Sequence, residues 1–260
     1  MTPVAPHPVL TDYYRDETER RGRVNQLFDA SARHYDWINR MMSLGSGRRY
    51  RREALLRAGL APGQRLLDVG TGTGVIALLA QEIVGSQGEV VALDPSPGML
   101  AVAHAAGVRN TVPGCAESLP FADARFDLLT MGYALRHVAD LHATFTEYRR
   151  VLRPGAKLLI LEITRPRPGL GYHLLKFYLK ILVPLVTRLL RGSHEAQTLM
   201  RYYWDTIDRC VPPATILAAL EAAGFEQVRR DVMLGMFSEY NAVRPLHSKV
   251  RLVVTGAQAL

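Results

Sequence analysis

A glycine-rich turn at residues 70–74 constrains the fold of this chain more than any other feature. It follows a short apolar run at residues 65–69 and precedes a segment, residues 73–84, whose apolar side chains recur at helical spacing. An apolar run that ends in glycines is typical of a buried parallel strand, and glycine lets the backbone turn sharply and approach a ligand. Strand, turn and helix in this order predict a nucleotide-type cofactor site in an α/β fold.

Strands and helices alternate through most of the chain. Apolar runs predict strands at residues 65–69, 89–94, 126–131, 157–162, 225–232 and 249–254, with helical periodicity between them. This alternation predicts a doubly wound α/β fold around a mostly parallel sheet. We expect the proline-rich start to be a disordered leader. The predicted segments are the leader and a helical lid in 1–60, a cofactor-binding α/β core in 61–164, a helical insertion on the substrate side in 165–211, and a C-terminal helix and strands that complete the sheet in 212–260.

The charge of the chain is concentrated in two segments. The 260 residues carry a formal charge of +8, but residues 48–57 hold five arginines against one glutamate, and residues 163–194 hold six basic side chains and no acidic one. A basic chain can bind nucleic acid, but no base-flipping motif is present, so we expect no nucleic-acid partner.

Two cysteines cannot build a disulfide framework and the start lacks the features of a secretory signal, so we expect a cytoplasmic protein.

Residues 170–190 have the pattern of a basic amphipathic helix. Lys176, Lys180 and Arg188 interrupt the apolar run, which is too short to span a membrane. On a helical wheel the basic side chains share one side, and apolar residues fill the rest. Such helices bind membrane surfaces or cover apolar substrates, so we expect peripheral membrane contact through residues 165–191. The alternative is a lid helix that packs on the fold and turns its basic face to solvent.

Two acidic residues at strand ends favour S-adenosylmethionine as the cofactor. Asp68 stands just before the glycines, where a carboxylate repels a pyrophosphate but attracts a cationic ammonium group. Gly72, Gly74 and Ala77 satisfy the pattern GxGxxA, so a dinucleotide site is the alternative. Asp94 ends the second strand, where its carboxylate can accept hydrogen bonds from ribose hydroxyls or cap the following helix. Together the carboxylates and glycines predict a site for a zwitterionic cofactor without phosphate.

Several short motifs within residues 24–236 form a set. They are LFD at 27–29, YD at 35–36, NR at 39–40, MSLG at 42–45, ESLPF at 117–121, FD at 126–127, YALRHV at 133–138, YRRVLRPG at 148–155 and LE at 161–162. This set resembles the UbiE-type class I methyltransferases, the family that methylates a ring carbon of quinols in ubiquinone and menaquinone biosynthesis. The resemblance implies a seven-stranded Rossmann-like methyltransferase sheet, and S-adenosylmethionine as its cofactor.

The resemblance also assigns the cofactor-binding residues by position. Two belong to the N-terminal lid, and the others follow the strand ends: Tyr35, Asp36, Asp68, Gly70, Gly72, Thr73, Gly74, Asp94, Cys115, Ala116 and Gly132. Cys115 stands where the family has Asp or Asn, so its alternative role is that of a small buried hydrophobe. We predict no metal ion.

Three residues after the fourth predicted strand are the catalytic candidates. Tyr133 and His137 replace Phe and Asn of the family pattern FGLRNV, and Arg136 matches it. A phenol becomes a carbon nucleophile when it loses its proton, so Arg136 would stabilise the phenolate or orient a water, and His137 would act as the base. The alternatives are a helix cap or surface ion pair for Arg136 and a structural role at a helix start for His137.

Three functions are consistent with these residues. The first is an S-adenosylmethionine-dependent C-methyltransferase that acts on a quinol or phenolic ring of a lipid-like substrate. The second keeps the fold and cofactor but methylates an O, N or C atom of a small molecule in specialised metabolism, which the departures at Tyr133 and His137 favour. The third is a non-catalytic cofactor-binding partner in a biosynthetic complex. We leave open whether two copies form a homodimer.

Overall fold

One sheet forms the centre of the protein. A computed structural model describes residues 3–42, 47–183, 185 and 194–247, without the side chains of residues 31, 33–42 and 194–196. Within these residues the sheet has seven strands: β1 Arg65–Val69, β2 Glu89–Asp94, β3 Asn110–Pro113, β4 Phe126–Gly132, β5 Leu152–Ile163, β6 Glu226–Met233 and β7 Phe237–Val243. Their order is β3-β2-β1-β4-β5-β7-β6, with β7 antiparallel to both neighbours and the pairs among β1 to β5 parallel. The predicted doubly wound, mostly parallel α/β fold is confirmed.

Helices cover both faces of the sheet and follow its strand ends. They are α1 Glu17–Met42, α2 Gly47–Arg57, α3 Val75–Val84, α4 Pro97–Ala105, α5 Leu141–Val151, α6 Leu170–Phe177, α7 His194–Asp208 and α8 Pro213–Ala222. A single 3-10 turn, Leu135–His137, follows β4, and a π-helical turn, Tyr178–Leu182, continues α6. Within the described ranges, none of the helices has the length and hydropathy that a membrane crossing needs.

Consecutive residues of the central strands enter opposite apolar layers. Leu66 and Leu128 pack in the layer that contains α2 and α3, whereas Leu67 and Leu129 pack in the layer that contains α5 and α8. Side chains alternate across a strand, so a strand covered on both faces is apolar at every position. This is why β1 and β4 are continuous apolar runs in the sequence.

The strand order places a crevice at the carboxyl end of β1. The chain runs from β1 outward to β2 and β3 on one side, and β4 and β5 follow on the other side. In open α/β sheets the loops diverge at such a reversal of strand order, and ligands bind between them. The glycine turn and the YALRHV segment follow β1 and β4, so both flank this crevice.

Two strands differ from the sequence expectations. The four-residue β3 begins with Asn110 and Thr111, so no apolar run marks it. β7 contains Ser238 and Glu239, which are buried although they are polar. The strand expected at residues 249–254 lies outside the described residues. Because β3 and β7 contain polar residues, a search for apolar runs does not find them.

The predicted disorder of the proline-rich leader, residues 1–8, is wrong for its described residues 3–8. His7 is 1% exposed, and the carbonyl of Pro6 accepts from the N–H of Val211 at 2.8 Å. The backbone N–H of Leu141 donates to the carbonyl of Val4 at 2.9 Å. Prolines lack an N–H but keep a carbonyl acceptor, so a proline-rich segment can still be bound along one edge.

Candidate active site

A cavity of about 370 Å³ lies at the carboxyl ends of β1, β2 and β4. Small-molecule sites are typically of this size or larger. The loops after β1, β2, β3 and β4 form its floor, and helix α1 covers it. The lining residues include Arg20, Arg21, Asn25 and Phe28 of α1, Met99 of α4, and Gly70, Gly72, Asp94, Ser96, Cys115, Ala116, Glu117, Gly132, Tyr133, Ala134 and His137 at the strand ends and in the loops.

The glycine turn is held in shape by Asp68. This carboxylate is 1% exposed and accepts hydrogen bonds from the hydroxyls of Thr71 at 2.6 Å and Thr130 at 2.8 Å. Burial raises the pKa of Asp68 to about 6. Gly74 has φ +83°, and a Cβ there would lie 2.6 Å from Cγ2 of Val108. Asp68 therefore braces the turn from behind and does not line the cavity.

Asp94 links the glycine turn to the loop after β2. The N–H of Gly72 donates to Oδ2 at 2.8 Å, and the N–H of Ser96 donates to Oδ1 at 2.9 Å. The cap of α4 is the Ser96 hydroxyl, which accepts from Met99 N at 3.1 Å, so Asp94 is not the helix cap. Burial raises the pKa of Asp94 to about 6. Its carboxylate remains in the cavity wall with acceptor capacity beyond the two backbone donors.

Helix α1 is attached to the loops on both sides of the cavity. Asp29 accepts hydrogen bonds from the Ser96 hydroxyl and from the N–H of Gly98. Arg21 lies 3.7 Å from the carboxylate of Glu117, which also accepts from the N–H of Ala139. These contacts predict that a ligand in the cavity is shielded from water by α1.

His137 presents a neutral imidazole to the cavity. Its ring stacks on Tyr202 at 5.5 Å and meets Phe28 edge-on at 5.1 Å, and its Nδ1 lies 3.2 Å from the Tyr202 hydroxyl. Its buried Nε2 has no hydrogen-bond partner among the described residues. Burial, followed by the charge of Arg136, holds the pKa of His137 well below its ordinary 6.5. The lowered pKa keeps the ring neutral but makes it a weaker base than a free imidazole, and Nε2 is a candidate proton acceptor because it is unpaired.

Arg136 does not line the cavity. Its guanidinium is fully buried, with Nε 2.9 Å from Glu162, Nη1 2.7 Å from the Thr206 hydroxyl and its centre 4.4 Å from the Tyr203 ring. The expected direct contact with a phenolate is wrong for this geometry, because the carboxylate already neutralises the guanidinium away from the cavity. The surface ion pair is equally wrong, because both partners are buried.

Tyr133 joins the cavity to the arginines of α2. Its backbone has φ +61°, which is uncommon for a residue with a side chain, and its N–H donates to the carbonyl of Leu161 at 2.7 Å. The guanidinium of Arg51 lies 4.9 Å above its ring, and burial raises the pKa of its hydroxyl. The position of Tyr133 is consistent with contact to a substrate at this end of the cavity.

The remaining predicted residues divide into three groups. Gly70, Gly72, Asp94, Cys115, Ala116 and Gly132 line the cavity, whereas Thr73 and Gly74 do not. Cys115 is a half-buried free thiol. The side chains of Tyr35 and Asp36 lie outside the described part of the chain.

Sequence reasoning missed the residues that α1 and Glu117 bring to the cavity. With Glu17 and Val24, the residues Arg20, Arg21, Asn25 and Phe28 recur three or four positions apart along one side of α1, which a helical wheel of residues 17–28 would have revealed. Glu117 directly follows Cys115 and Ala116, which were predicted to bind the cofactor. An acidic side chain directly after the expected adenine site was the sequence signal that could have marked Glu117 as a cavity residue.

The cavity fits S-adenosylmethionine. The Asp94 carboxylate can accept from vicinal hydroxyls, and Gly70 and Gly72 carry no side chains that would obstruct a ligand. Apolar Met99 and Ala116 line a surface suited to a planar base. Tyr133 and His137 also line the cavity and are left for an acceptor molecule.

Comparison with known proteins identifies relatives over most of the chain. Residues 15–242 match the model of the ubiE/COQ5 methyltransferase family. A demethylmenaquinone methyltransferase of Mycobacterium sp. (strain KMS) is 37% identical over 226 residues, 85% of this chain and 94% of that protein. A ubiquinone/menaquinone biosynthesis C-methyltransferase UbiE of Stutzerimonas stutzeri (strain A1501) is 33% identical over 226 residues, 84% of this chain and 87% of that protein. The crystal structure of a SAM dependent methyltransferase from Aquifex aeolicus has the same fold, with a TM-score of 0.54 at 21% identity over 74% of this chain and 88% of its own.

Proposed function

Because the chain belongs to the ubiE/COQ5 methyltransferase family and is an S-adenosylmethionine-dependent methyltransferase, we propose that it methylates a ring carbon of a quinol with a lipid-like tail. The names of its relatives, which specify demethylmenaquinone or ubiquinone and menaquinone biosynthesis, support this acceptor. The single observation that carries the proposal is the neutral imidazole of His137 in the lining of a largely apolar cavity, with an Nε2 that has no hydrogen-bond partner among the described residues. A ring hydroxyl placed there meets a proton acceptor in surroundings suited to an aromatic ring.

The cofactor would be held by the residues that follow β1, β2 and β3 in the same cavity. Asp94 would accept the ribose hydroxyls, Cys115 and Ala116 would face the adenine, and Gly70 and Gly72 would make room for the methionine part. When bound, S-adenosylmethionine supplies an electrophilic methyl group on a positively charged sulfur. The cover formed by α1 excludes water, which would otherwise weaken the electrostatic interactions at the reacting atoms.

Removal of the hydroxyl proton is the contribution of His137. A phenol has a pKa near 10, so ionisation at neutral pH costs about 4 kcal/mol, at roughly 1.4 kcal/mol for each pKa unit. Nε2 accepts the proton, and the positive charge of Arg20, which lines the cavity, would stabilise the negative ring oxygen. A cofactor held by Asp94, Gly70 and Gly72 would supply the methyl group: the bond from the ring carbon to the methyl would replace the methyl–sulfur bond, and S-adenosylhomocysteine would leave. The ring carbon would release its own proton to solvent, and protonated His137 would return a proton to the ring oxygen.

Arg136 contributes by positioning. Its ion pair with Glu162 anchors the 3-10 turn that carries His137, and its carbonyl accepts a hydrogen bond from Arg20 at 3.0 Å. The turn and helix α1 are thereby fixed to each other. This arrangement sets the direction of the imidazole, which stacks on Tyr202.

A second candidate function follows from the two departures at the substrate end. Tyr133 and His137, where the family pattern has Phe and Asn, favour a soluble phenol or heteroatom acceptor of specialised metabolism. The tailed quinol has the greater support, because relatives at 33% to 37% identity are named for quinone biosynthesis. For a tailed acceptor the enzyme works in the cytoplasm at a membrane surface, since such quinols reside in the bilayer.

The test is methyl transfer by the purified protein from methyl-deuterated S-adenosylmethionine. The acceptors are a chemically reduced demethylnaphthoquinol with a short prenyl tail, the same ring without a tail, and a panel of simple phenols. We expect a labelled product from the tailed quinol at the highest kcat/KM. Preference for a tailless phenol would support the second candidate. Cofactor binding by calorimetry without methylation of any acceptor would support a non-catalytic partner.

A further inference from the structure

The apolar side chains after β5 separate into two rows. An inner row, Leu175, Leu179 and Val183, is buried against α7. An outer row along the same helical stretch is between 49% and 76% exposed: Leu170, Leu174, Phe177, Ile181 and Leu185. The inner row packs on the fold and the basic side chains are exposed, as the alternative of a packed lid expects, but the outer apolar row is exposed as well. Residues 184 and 186–193 lie outside the described residues.

The outer row is a continuous stripe and not a scatter of single residues. Its members recur every three to four positions, which places them along one side of a helix. Single exposed apolar residues are ordinary, but contiguous rows mark surfaces that bind a partner.

A second exposed apolar element lies at the carboxyl end of β5, the end of the sheet from which this helical stretch begins. The turn between β6 and β7 leaves Val232, Met233 and Leu234 exposed, with Leu234 82% accessible. Just beyond the turn, the carbonyl of Met236 accepts from the N–H of Thr164 at 2.8 Å, and Met236 packs against the cluster beneath the inner row. The hairpin tip is thus attached to the segment from which α6 begins.

The charges beside the outer row are positive. Residues 163–183 contain four basic side chains, all exposed, and no acidic one. Arg165 and Lys180 lie 3.4 Å and 3.8 Å from Asp208 and Asp205, while Arg167 and Lys176 have no acidic partner among the described residues. Apolar side chains bordered by basic ones match the two layers of an anionic bilayer surface, acyl chains below and phosphates above.

We propose that the outer row and the hairpin tip form a docking face for an anionic lipid bilayer. The proposal rests on the proposed function, since a tailed acceptor must be reached in the membrane. A second copy of the chain is a poorer occupant, because a two-fold contact would bring the basic border of one copy against that of the other. The face follows the carboxyl ends of β5 and β6. The active-site cavity lies at this same end of the strands.

The experiment is co-sedimentation of the full-length protein with vesicles of phosphatidylcholine, with and without phosphatidylglycerol. The variant Phe177→Glu/Ile181→Glu should lose binding to the anionic vesicles by more than about tenfold, because two large apolar contacts are replaced by charges. The matched control is Leu246→Glu, which also places a charge on an exposed apolar residue. Leu246 is 71% exposed and lies beside Gly155, at the opposite end of the strands. This variant should bind as the wild type does. Arg167→Glu/Lys176→Glu should lose the dependence on phosphatidylglycerol.

Methylation of a short-tailed quinol without vesicles separates this proposal from the proposed function. The docking variants should retain wild-type turnover on that acceptor, and should lose turnover on a long-tailed quinol in vesicles. If the wild type methylates the short-tailed quinol but ignores vesicles, or if the double glutamate variant binds them equally well, docking is refuted and the function stands. A wild-type dimer that this variant converts to monomers would identify a second copy as the occupant. Vesicle binding without methylation of any quinol would refute the function alone.

Discussion

Removal of Arg136 should destabilise the protein strongly, and removal of its partner as well should restore much of the loss. Arg136 and Glu162 are 0% and 2% exposed, with Nε and Oε1 2.9 Å apart. Oε2 of Glu162 has no hydrogen-bond partner in the described ranges, and Oε1 also accepts from the backbone N–H of Ile163 at 2.8 Å, so Arg136 provides the charge that compensates this buried carboxylate. Breaking a buried pair from one side typically costs about 3–5 kcal/mol, because the other charge is left buried and uncompensated.

We therefore expect Arg136→Met to lower the free energy of unfolding by about 3–5 kcal/mol, which is a large fraction of the roughly 5–15 kcal/mol that stabilises a typical protein. At this chain length the loss corresponds to a fall in Tm of roughly 6–20 °C. Arg136→Met/Glu162→Met should recover at least about 2 kcal/mol relative to the sum of the single variants, because no charge is left unpaired.

Urea denaturation followed by circular dichroism measures these differences. The matched control is the pair of Arg153 and Asp127, which lie 2.7 Å apart but are 41% and 23% exposed. Arg153→Met should cost no more than about 1 kcal/mol, as for other exposed ion pairs. A loss below about 1 kcal/mol for Arg136→Met, or strictly additive losses in the double variant, would refute the positioning role inferred from burial.

Three further predictions concern the cavity and the glycine turn. Asp94→Asn should weaken S-adenosylmethionine binding by about 1–3 kcal/mol in calorimetry. Because burial raises the pKa of Asp94 to about 6, wild-type affinity should fall as the pH drops below 6, when the acceptor is protonated, whereas Asp94→Asn should show little of this dependence. His137→Phe should keep the fold and lower kcat by about 10²–10⁴, the range for loss of a proton acceptor, with cofactor affinity retained. Gly74→Ala should lower the free energy of unfolding by more than about 1 kcal/mol, because its φ is +83° and its Cβ would meet Val108 at 2.6 Å.

Each of these predictions has a control or an outcome that contradicts it. Unchanged affinity of Asp94→Asn at neutral pH would mean that the ribose site lies elsewhere. Full activity of His137→Phe would remove the proton acceptor from the mechanism. Gly63→Ala isolates the effect of backbone strain, because φ is +80° there but no atom lies within 4 Å of the new Cβ. If Gly63→Ala lowers the free energy of unfolding as much as Gly74→Ala does, the contact with Val108 contributes nothing to the loss.

The sequence was most informative where one local pattern decides the structure. The run that ends in Asp68 and the glycines specifies a strand, a turn and a helix within a few residues, and the structure has all three. Asp94 was also predictable, because a strand end fixes where its carboxylate lies relative to the turn. Local periodicity could not reveal β7, whose buried Glu239 is neutralised by Arg57 of α2, 2.6 Å away. That pair joins residues distant in the sequence.

The environment of Arg136 and His137 lay beyond sequence reasoning for the same reason. Whether an arginine faces a ligand or a buried glutamate depends on Glu162 of β5 and Thr206 of α7, which meet only in the folded chain. The outward direction of the row that contains Phe177 was also hidden, since an amphipathic pattern shows that two faces differ but not which one packs on the fold. The order of the leader is also beyond local sequence, because its prolines are held by carbonyl acceptors whose donors, such as Val211 N–H, are distant in the chain.

The central claim is that the acceptor is a quinol and that the methyl group is added to its ring carbon. The most direct measurement is nuclear magnetic resonance of the product formed from ¹³C-methyl S-adenosylmethionine and a tailed demethylnaphthoquinol, with the oxidised quinone as a parallel acceptor. We predict a ¹³C resonance of a methyl group on an aromatic carbon, formed from the reduced acceptor alone, because only the quinol has a proton for His137 to remove. A methoxy resonance, or equal methylation of the quinone, would contradict the account.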